Sequence, residues 1–173
     1  MKMNNNDILV RLRYALDIKD TAMVEIFGLG GIETTKEEVQ EMLAKVKNVP
    51  VDEAQENDYV KEVDNTVLES FLNGFVILKR GVRDVKPENA QNQFLMTKDN
   101  RNVNNILLKK MKIALSLKSE DILDILHEAG VNLSKNELSA VLRKEGHRNY
   151  KECGDRYARN FLKGLAKRYR EQV

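Results

Sequence analysis

Residues 105–144 read NILLKKMKIALSLKSEDILDILHEAGVNLSKNELSAVLRK, and residues 6–45 read NDILVRLRYALDIKDTAMVEIFGLGGIETTKEEVQEMLAK. The two stretches align without a gap at a constant shift of 99, and eleven of the forty aligned pairs are identical. A second pair of segments, 61–74 and 151–164, matches at a shift of 90. Self-similarity of this kind marks the tandem duplication of one structural unit.

Within each copy the apolar residues fall at helical spacing. One face of the first predicted helix carries Leu107, Leu108, Met111, Ala114 and Leu115, and its counterpart carries Ile8, Leu9, Leu12, Ala15 and Leu16. Asn6 and Asn105 stand at the start of these helices, where we expect them to act as N-caps that accept from first-turn amides.

A second helix, beginning near Asp20 and Ser119, is expected to stop at Gly31 and Gly130, where a left-handed residue closes the last turn. The third helix opens in both copies with a hydroxyl residue followed three positions later by a glutamate, which is the capping-box pattern. These capping residues are Thr35 and Glu38 in the first copy, and Ser134 and Glu137 in the second. A fourth helix follows in each copy.

The pattern predicts an all-α protein made of two homologous four-helix repeats that pack as a pseudo-two-fold pair. We expect the first repeat at residues 4–81, a linker at 82–103 and the second repeat at 104–171. The first copy has nine more residues between its third and fourth helices, and this acidic insert around Pro50 is predicted to be a surface loop.

Composition sets broad bounds on function. With 42% hydrophobic and 32% charged residues, the chain is typical of a soluble globular protein large enough to need no disulfide or metal staple. Its single cysteine, Cys153, suits a reducing cytoplasm, and no apolar run approaches the length of a membrane span. Residues 1–100 contain 13 Lys and Arg against 18 Asp and Glu, a net −5, whereas residues 101–173 contain 16 against 9, a net +7.

The segment from His147 to Asp155 includes the only arrangement in the sequence that invites a catalytic interpretation. His147, Cys153 and Asp155 supply a nucleophile, a base and an orienting carboxylate. Cys153 aligns with Val63, however, so its slot is expected to be apolar and its thiol buried. The two histidines match no metal-binding spacing. We therefore predict no catalytic residue, no cofactor and no metal site.

The strongest chemical feature is a basic stripe along the last helix. Its side chains recur at spacings of three and four, on the face opposite the apolar one: Arg156, Arg159, Lys163, Lys167 and Arg170. Such a stripe can follow a phosphate backbone or can simply be a solvated face. The first repeat has Glu69, Asn73 and Ile77 at the middle positions, so the fold does not require the stripe. Around residues 130–133 the second and third helices also resemble a helix-turn-helix in outline, with a longer connection than usual.

Several motifs resemble the bacterial YehS-like family, a tandem-repeat domain of unknown function. They are Asn5-Asn6-Asp7-Ile8-Leu9, Arg11-Leu12-Arg13-Tyr14-Ala15-Leu16, Phe71-Leu72-Asn73-Gly74-Phe75, Asn104-Asn105-Ile106-Leu107-Leu108-Lys109-Lys110 and Cys153-Gly154-Asp155. The resemblance covers nearly the whole chain and implies a bacterial cytoplasmic protein with two helical repeats. It implies no reaction, substrate or cofactor.

Three functional hypotheses follow. The first is a non-enzymatic binding protein that uses the basic surface of the second repeat, with nucleic acid as the candidate anion. The second is a protein-interaction or self-associating module, in which an acidic protein surface, such as the first repeat of another copy, meets the basic repeat. The third and least favoured is an enzyme that uses the segment from His147 to Asp155. None of the three involves a membrane.

Overall fold

The computed structural model describes residues 3–46, 59–81, 102–143 and 147–170, and these residues form eight α-helices. The helices of the first repeat are α1 (Asn5–Leu16), α2 (Asp20–Leu29), α3 (Lys36–Leu43) and α4 (Asn65–Arg80). Those of the second are α5 (Val103–Ala114), α6 (Ser119–Glu128), α7 (Lys135–Leu142) and α8 (Asp155–Tyr169). The only β-type pairing within the described ranges is one isolated bridge between Lys45 and Tyr59. The predicted all-α fold with two four-helix repeats is therefore confirmed. The acidic insert at 49–58 and linker residues 82–101 lie outside the described ranges.

The helix boundaries follow from local hydrogen bonds. Thr35 Oγ1 accepts from the Glu38 amide at 3.1 Å, and the Glu38 carboxylate accepts from the Thr35 amide at 3.2 Å, which completes a capping box. Ser134 Oγ accepts from the Glu137 amide at 3.1 Å, so Ser134 is the N-cap of its helix, but the structure does not show the return bond from the Ser134 amide to the Glu137 carboxylate that would complete the predicted capping box. The second helices end at Leu29 and Glu128, and two residues later Gly31 and Gly130 have φ angles of 94° and 88°, in the left-handed region, as predicted for the helix stop. The backbone amide of the residue after each glycine donates a hydrogen bond to a carbonyl in the last turn of the helix.

Asn6 and Asn105 are not N-caps, and this prediction was wrong. The N-cap of α1 is Asn4, which forms a capping box with Asp7, and α5 follows Asn102 without a side-chain cap. Asn6 lies inside α1 and is 2% exposed. Its Nδ2 donates to the carbonyls of Met42 and Lys61 at 2.9 and 2.8 Å, and its Oδ1 accepts from the Val63 amide at 3.0 Å. A side chain that saturates buried backbone groups is held by tertiary structure, so the local capping rule misassigned it.

Asn105 repeats the arrangement in the second copy. Its Nδ2 donates to the carbonyls of Val141 and Lys151, both at 2.8 Å, and its Oδ1 accepts from the Cys153 amide at 2.9 Å. Each of these asparagines ties the first helix of its repeat to the end of the third helix and to the segment that enters the fourth. These hydrogen bonds hold the end of the third helix and the segment before the fourth helix against the first helix in both repeats.

The close crossing of the second and fourth helices depends on glycine in both repeats. A Cβ atom on Gly74 would overlap the carbonyl of Ile26, and one on Gly164 would overlap the carbonyl of Ile125. These glycines lie 90 residues apart and the isoleucines 99 residues apart, which are the two alignment shifts of the duplication. The duplicated sequence therefore preserves the same backbone-to-backbone contact twice.

The two repeats pack as a pair by exchanging helix contacts. Within each repeat the second helix packs on the third and fourth. The first helix, however, packs much more extensively on the fourth helix of the other repeat than on that of its own: α1 lies along α8, and α4 lies along α5. Buried apolar residues from both repeats form one continuous core. We call the α1/α8 and α4/α5 contacts the two seams, and the pseudo-two-fold axis relates one seam to the other.

Candidate functional site: a cationic groove at one seam

Helix α8 buries its apolar face and exposes most of the predicted basic stripe. Phe161, Leu162 and Leu165 are at most 2% exposed and pack into the core. On the other side Arg156 and Lys163 are exposed and Arg159 is half-buried. Within the described ranges, no salt bridge joins these three cations to a carboxylate. Their charges are therefore available to an external anion.

Two stripe residues are engaged within the fold. Lys167 Nζ donates to the carbonyl of Glu128 at 3.3 Å, at the C-terminal end of α6. Arg170 Nη1 donates to the carbonyl of Tyr14 at 2.9 Å and lies 3.4 Å from Asp17 Oδ1. Cations at helix C-termini stabilise carbonyls that have no intrahelical partner and complement the helix dipole. Arg170 thus attaches the end of α8 to the end of α1.

Two of the free stripe residues, Arg159 and Lys163, border a groove of about 430 Å³ at the α1/α8 seam, and Arg156 does not line it. From α8 it is lined by Arg159, Lys163 and Lys167, and from α1 by Arg11. The same groove is also lined by Val10, Leu162 and Ala166, which we call its apolar floor, and by Tyr14. We call this feature the cationic groove. Residues of both repeats line it. The sequence had indicated a basic surface on the second repeat alone.

Arg11 and Tyr14 were missed because they lie in the acidic repeat. Their proximity to the stripe depends on α1 packing along α8 of the other copy. The lysines of α5 do not join the groove: Lys110, which aligns with Arg11, is only 4% exposed and lies at the other seam. The signal in the sequence was that Arg11 and Lys110 are basic residues at equivalent positions of the two repeats. That equivalence does not indicate at which seam each side chain lies.

At the α4/α5 seam, the positions equivalent to those that line the cationic groove are buried, and their charges balance. Glu69 and Asn73 of α4 align with Arg159 and Lys163 of α8. Glu69, Asn73 and Lys110 are all at least 96% buried, with exposures of 1%, 4% and 4%. Desolvation lowers the pKa of Lys110, and the nearby Glu69 carboxylate opposes that shift. The α4/α5 seam is therefore charge-balanced and buried, whereas the α1/α8 seam carries only positive charge at these positions and is open.

A second groove of about 510 Å³ adjoins the first and shares Tyr14 with it, while Arg170 lines the second groove alone. Its charges are mixed: Arg13 pairs with Asp20 at 3.0 Å, and Asp17 faces Arg170. A hydrogen bond from Gln40 and the pairing with Arg13 hold the pKa of Asp20 below its usual range, although desolvation opposes them. Since Arg13 and Arg170 already have anionic partners and the lining itself includes Asp17 and Asp20, this groove is the weaker anion site.

The His147–Asp155 segment does not assemble a catalytic centre. Cys153 is 2% exposed, and burial together with Asp155 raises its pKa to about 12, which keeps the thiol protonated. Its Sγ donates to the Gly154 carbonyl at 3.7 Å, whereas His147 Nδ1 accepts from the Asn149 amide. Asp155 is the first residue of α8. Its carboxylate accepts from the Met3 amide at 2.9 Å and from Asn104 Nδ2 at 2.8 Å, so it joins the two repeats.

The helix-turn-helix resemblance also gains little support from the geometry. Six residues separate α6 from α7. Lys135, at the start of α7, forms a salt bridge of 3.0 Å with Glu120 of α6. A recognition helix needs its first-turn side chains free to contact bases. The cationic groove is therefore the better candidate surface.

Within the described ranges, no group of three or more His, Cys, Asp or Glu side chains is placed to hold a metal ion. Among the same residues, no helix has both the length and the apolar character needed to cross a membrane.

The fold and the groove define an α-helical tandem-repeat protein with a cationic groove between its repeats. The chain belongs to the family described as Protein of unknown function (DUF1456), whose model matches residues 5–81 and 104–171. It is 38% identical over 166 residues to the Uncharacterized protein YehS of Escherichia coli (strain K12), and the alignment covers 96% of both chains. The predicted YehS-like family is thereby confirmed. Neither description indicates an enzyme. No solved structure matches the chain.

Proposed function

We propose that this protein is a non-enzymatic, cytoplasmic binding protein whose ligand is a polyanion, with nucleic acid the foremost candidate, held in the cationic groove. The observation that supports the proposal is the convergence of Arg11, Arg159, Lys163 and Lys167 on one open groove. Phosphate contacts made by such side chains position a nucleic acid without reading its sequence.

Electrostatics favours an anionic occupant. Like charges that line one groove repel each other, and within the described ranges no carboxylate forms a salt bridge with Arg11, Arg159 or Lys163. At the other seam the equivalent positions include the Glu69–Lys110 pair, so the fold itself tolerates a neutral arrangement. A phosphate backbone would supply the missing negative charge and release counterions when it binds.

Binding can be measured by fluorescence anisotropy with labelled DNA and RNA oligonucleotides over a range of salt concentrations. Contacts with three or four phosphates predict that log K falls against log salt with a slope of roughly −2 to −3 for a single strand. Affinity that does not respond to salt, or no binding to any strand at low salt, would contradict the proposal.

The duplication provides a matched variant for the same experiment. Arg159→Glu places in α8 the residue that α4 has at the equivalent position, and the new carboxylate faces the groove that Arg11 lines. Binding should be lost, while a partly exposed ion pair should raise the melting temperature by about 1–3 °C. Arg148→Glu, at an exposed position outside the groove, makes the same charge change and should leave binding nearly intact. Equal losses in both variants would show that net charge, and not the groove, controls binding.

Sedimentation velocity without nucleic acid distinguishes the self-association alternative, for which the opposite net charges of the two repeats are the supporting observation. That alternative predicts dimers at low salt that dissociate at high salt. A monomer at all salt concentrations is the result expected from the proposed function.

A further inference from the structure

We infer that the occupant of the cationic groove is single-stranded nucleic acid, with one unpaired base stacked on the ring of Tyr14. This inference depends on the proposed function and specifies its ligand.

The floor of the groove argues against a duplex. Val10, Leu162 and Ala166 line the same groove as Arg11 of α1 and the cations of α8. A duplex presents phosphates and sugars to a protein surface, while its base faces stay stacked inside. The apolar residues of the groove would then contact no base face. A single strand presents both phosphates and flat base faces, and proteins that bind it combine a positively charged groove with aromatic platforms.

Tyr14 has the placement of such a platform. Tyr14 is 52% exposed although it lies in a helix that buries most of its apolar residues. The Arg170 guanidinium lies 4.2 Å from the ring centre, and Arg170 Nη1 is hydrogen-bonded to the Tyr14 carbonyl. Tyr14 lines both grooves, whereas Arg170 lines only the mixed-charge one. The guanidinium therefore holds the ring from one side, and the cationic groove is left for a base.

The equivalent position at the other seam shows that the aromatic ring is not needed for folding. There the residue is Ile113, which is 48% exposed at the end of α5. An exposed apolar residue thus suits this helix position in both repeats, but only the cationic groove has an aromatic one. Tyr14→Ile is consequently a conservative variant for the fold and a disruptive one for stacking.

The test measures anisotropy with three probes of equal length: a single strand, the same strand annealed to its complement, and an abasic strand with the same number of phosphates. The intact single strand should bind most tightly. Tyr14→Ile should weaken its binding roughly tenfold, because stacking of a base on an aromatic side chain is removed. Tyr14→Phe should retain the affinity. The salt slope should be the same in all three proteins, since no charge has changed.

Tyrosine fluorescence gives a second measurement, because the chain has five tyrosines and no tryptophan. Stacking on Tyr14 should quench part of the emission when the strand binds, and Tyr14→Phe should abolish that part. Salt-dependent binding with no preference among the three probes, and no effect of Tyr14→Ile, would overturn this inference and leave the proposed function standing. Failure of the unmodified protein to bind any probe would overturn both.

Discussion

Replacing Asn105 by alanine should be among the most destabilising single changes in this protein. The side chain is 1% exposed and makes three hydrogen bonds, to the carbonyls of Val141 and Lys151 and from the amide of Cys153. Three net bonds at about 1 kcal/mol each give roughly 3 kcal/mol, and leaving buried partners unsatisfied raises the loss to about 4–5 kcal/mol. A typical domain has about 5–15 kcal/mol of stability in total, so the loss is a large part of it.

The assay is urea denaturation followed by far-UV circular dichroism, with Asn136→Ala as the control. Asn136 is exposed in α7, and its replacement should change the unfolding free energy by no more than about 0.5 kcal/mol. Asn6→Ala should cost about as much as Asn105→Ala, since Asn6 makes the equivalent three bonds. Both variants should unfold in one transition, because each first helix packs on the fourth helix of the other repeat. A loss for Asn105→Ala indistinguishable from that of Asn136→Ala, or two separate transitions, would refute the reasoning.

Three further predictions concern packing, ionisation and capping. Gly164→Ala should destabilise the protein by about 1–3 kcal/mol or more, because the new methyl group overlaps the Ile125 carbonyl and forces α6 and α8 apart. Gly28→Ala, which has open space around it in α2, should instead stabilise by about 0.5–1 kcal/mol in the same melts, and a reversed order would contradict the helix crossing. Burial raises the pKa of Cys153 from 9.0 to about 12, so its stabilising contribution is complete below pH 9 and is lost as the pH rises toward 12. Cys153→Ala should show a shallower loss of stability over that range, and in the native protein thiol labelling should stay slow between pH 7 and 9; fast labelling would place the thiol at the surface. Thr35→Ala should cost about 1 kcal/mol in a thermal melt, since it removes the N-cap of α3, and no change would mean that solvent replaces the cap.

The cationic groove illustrates how much of a candidate binding site can be predicted from one sequence. The stripe on α8 could be read from spacing alone, because residues three and four apart share a helix face. Spacing could not show which stripe residues stay free and which are engaged within the fold. Lys167 and Arg170 contact the ends of α6 and α1, which are distant in sequence. The contribution of Arg11 was likewise invisible, because no local pattern indicates which helix lies beside α8.

The sequence by itself determined the helices, their duplication and most of their ends, the starts of α1 and α5 excepted. These follow from short-range physics: apolar periodicity selects the buried face, Thr35 supplies the N-cap of its own helix, and Gly31 adopts a left-handed conformation at little cost. Only the tertiary structure decided the exchange of helices between repeats, the buried role of Asn6 and Asn105, and the meeting of Arg11 with the stripe. The physical reason is range. Hydrophobic burial is non-directional, so a repeated apolar face specifies that helices must pack but not which partner each one takes. That choice depends on contacts between residues far apart in the chain, such as the crossing at Gly74 and the three-way ties of the two asparagines.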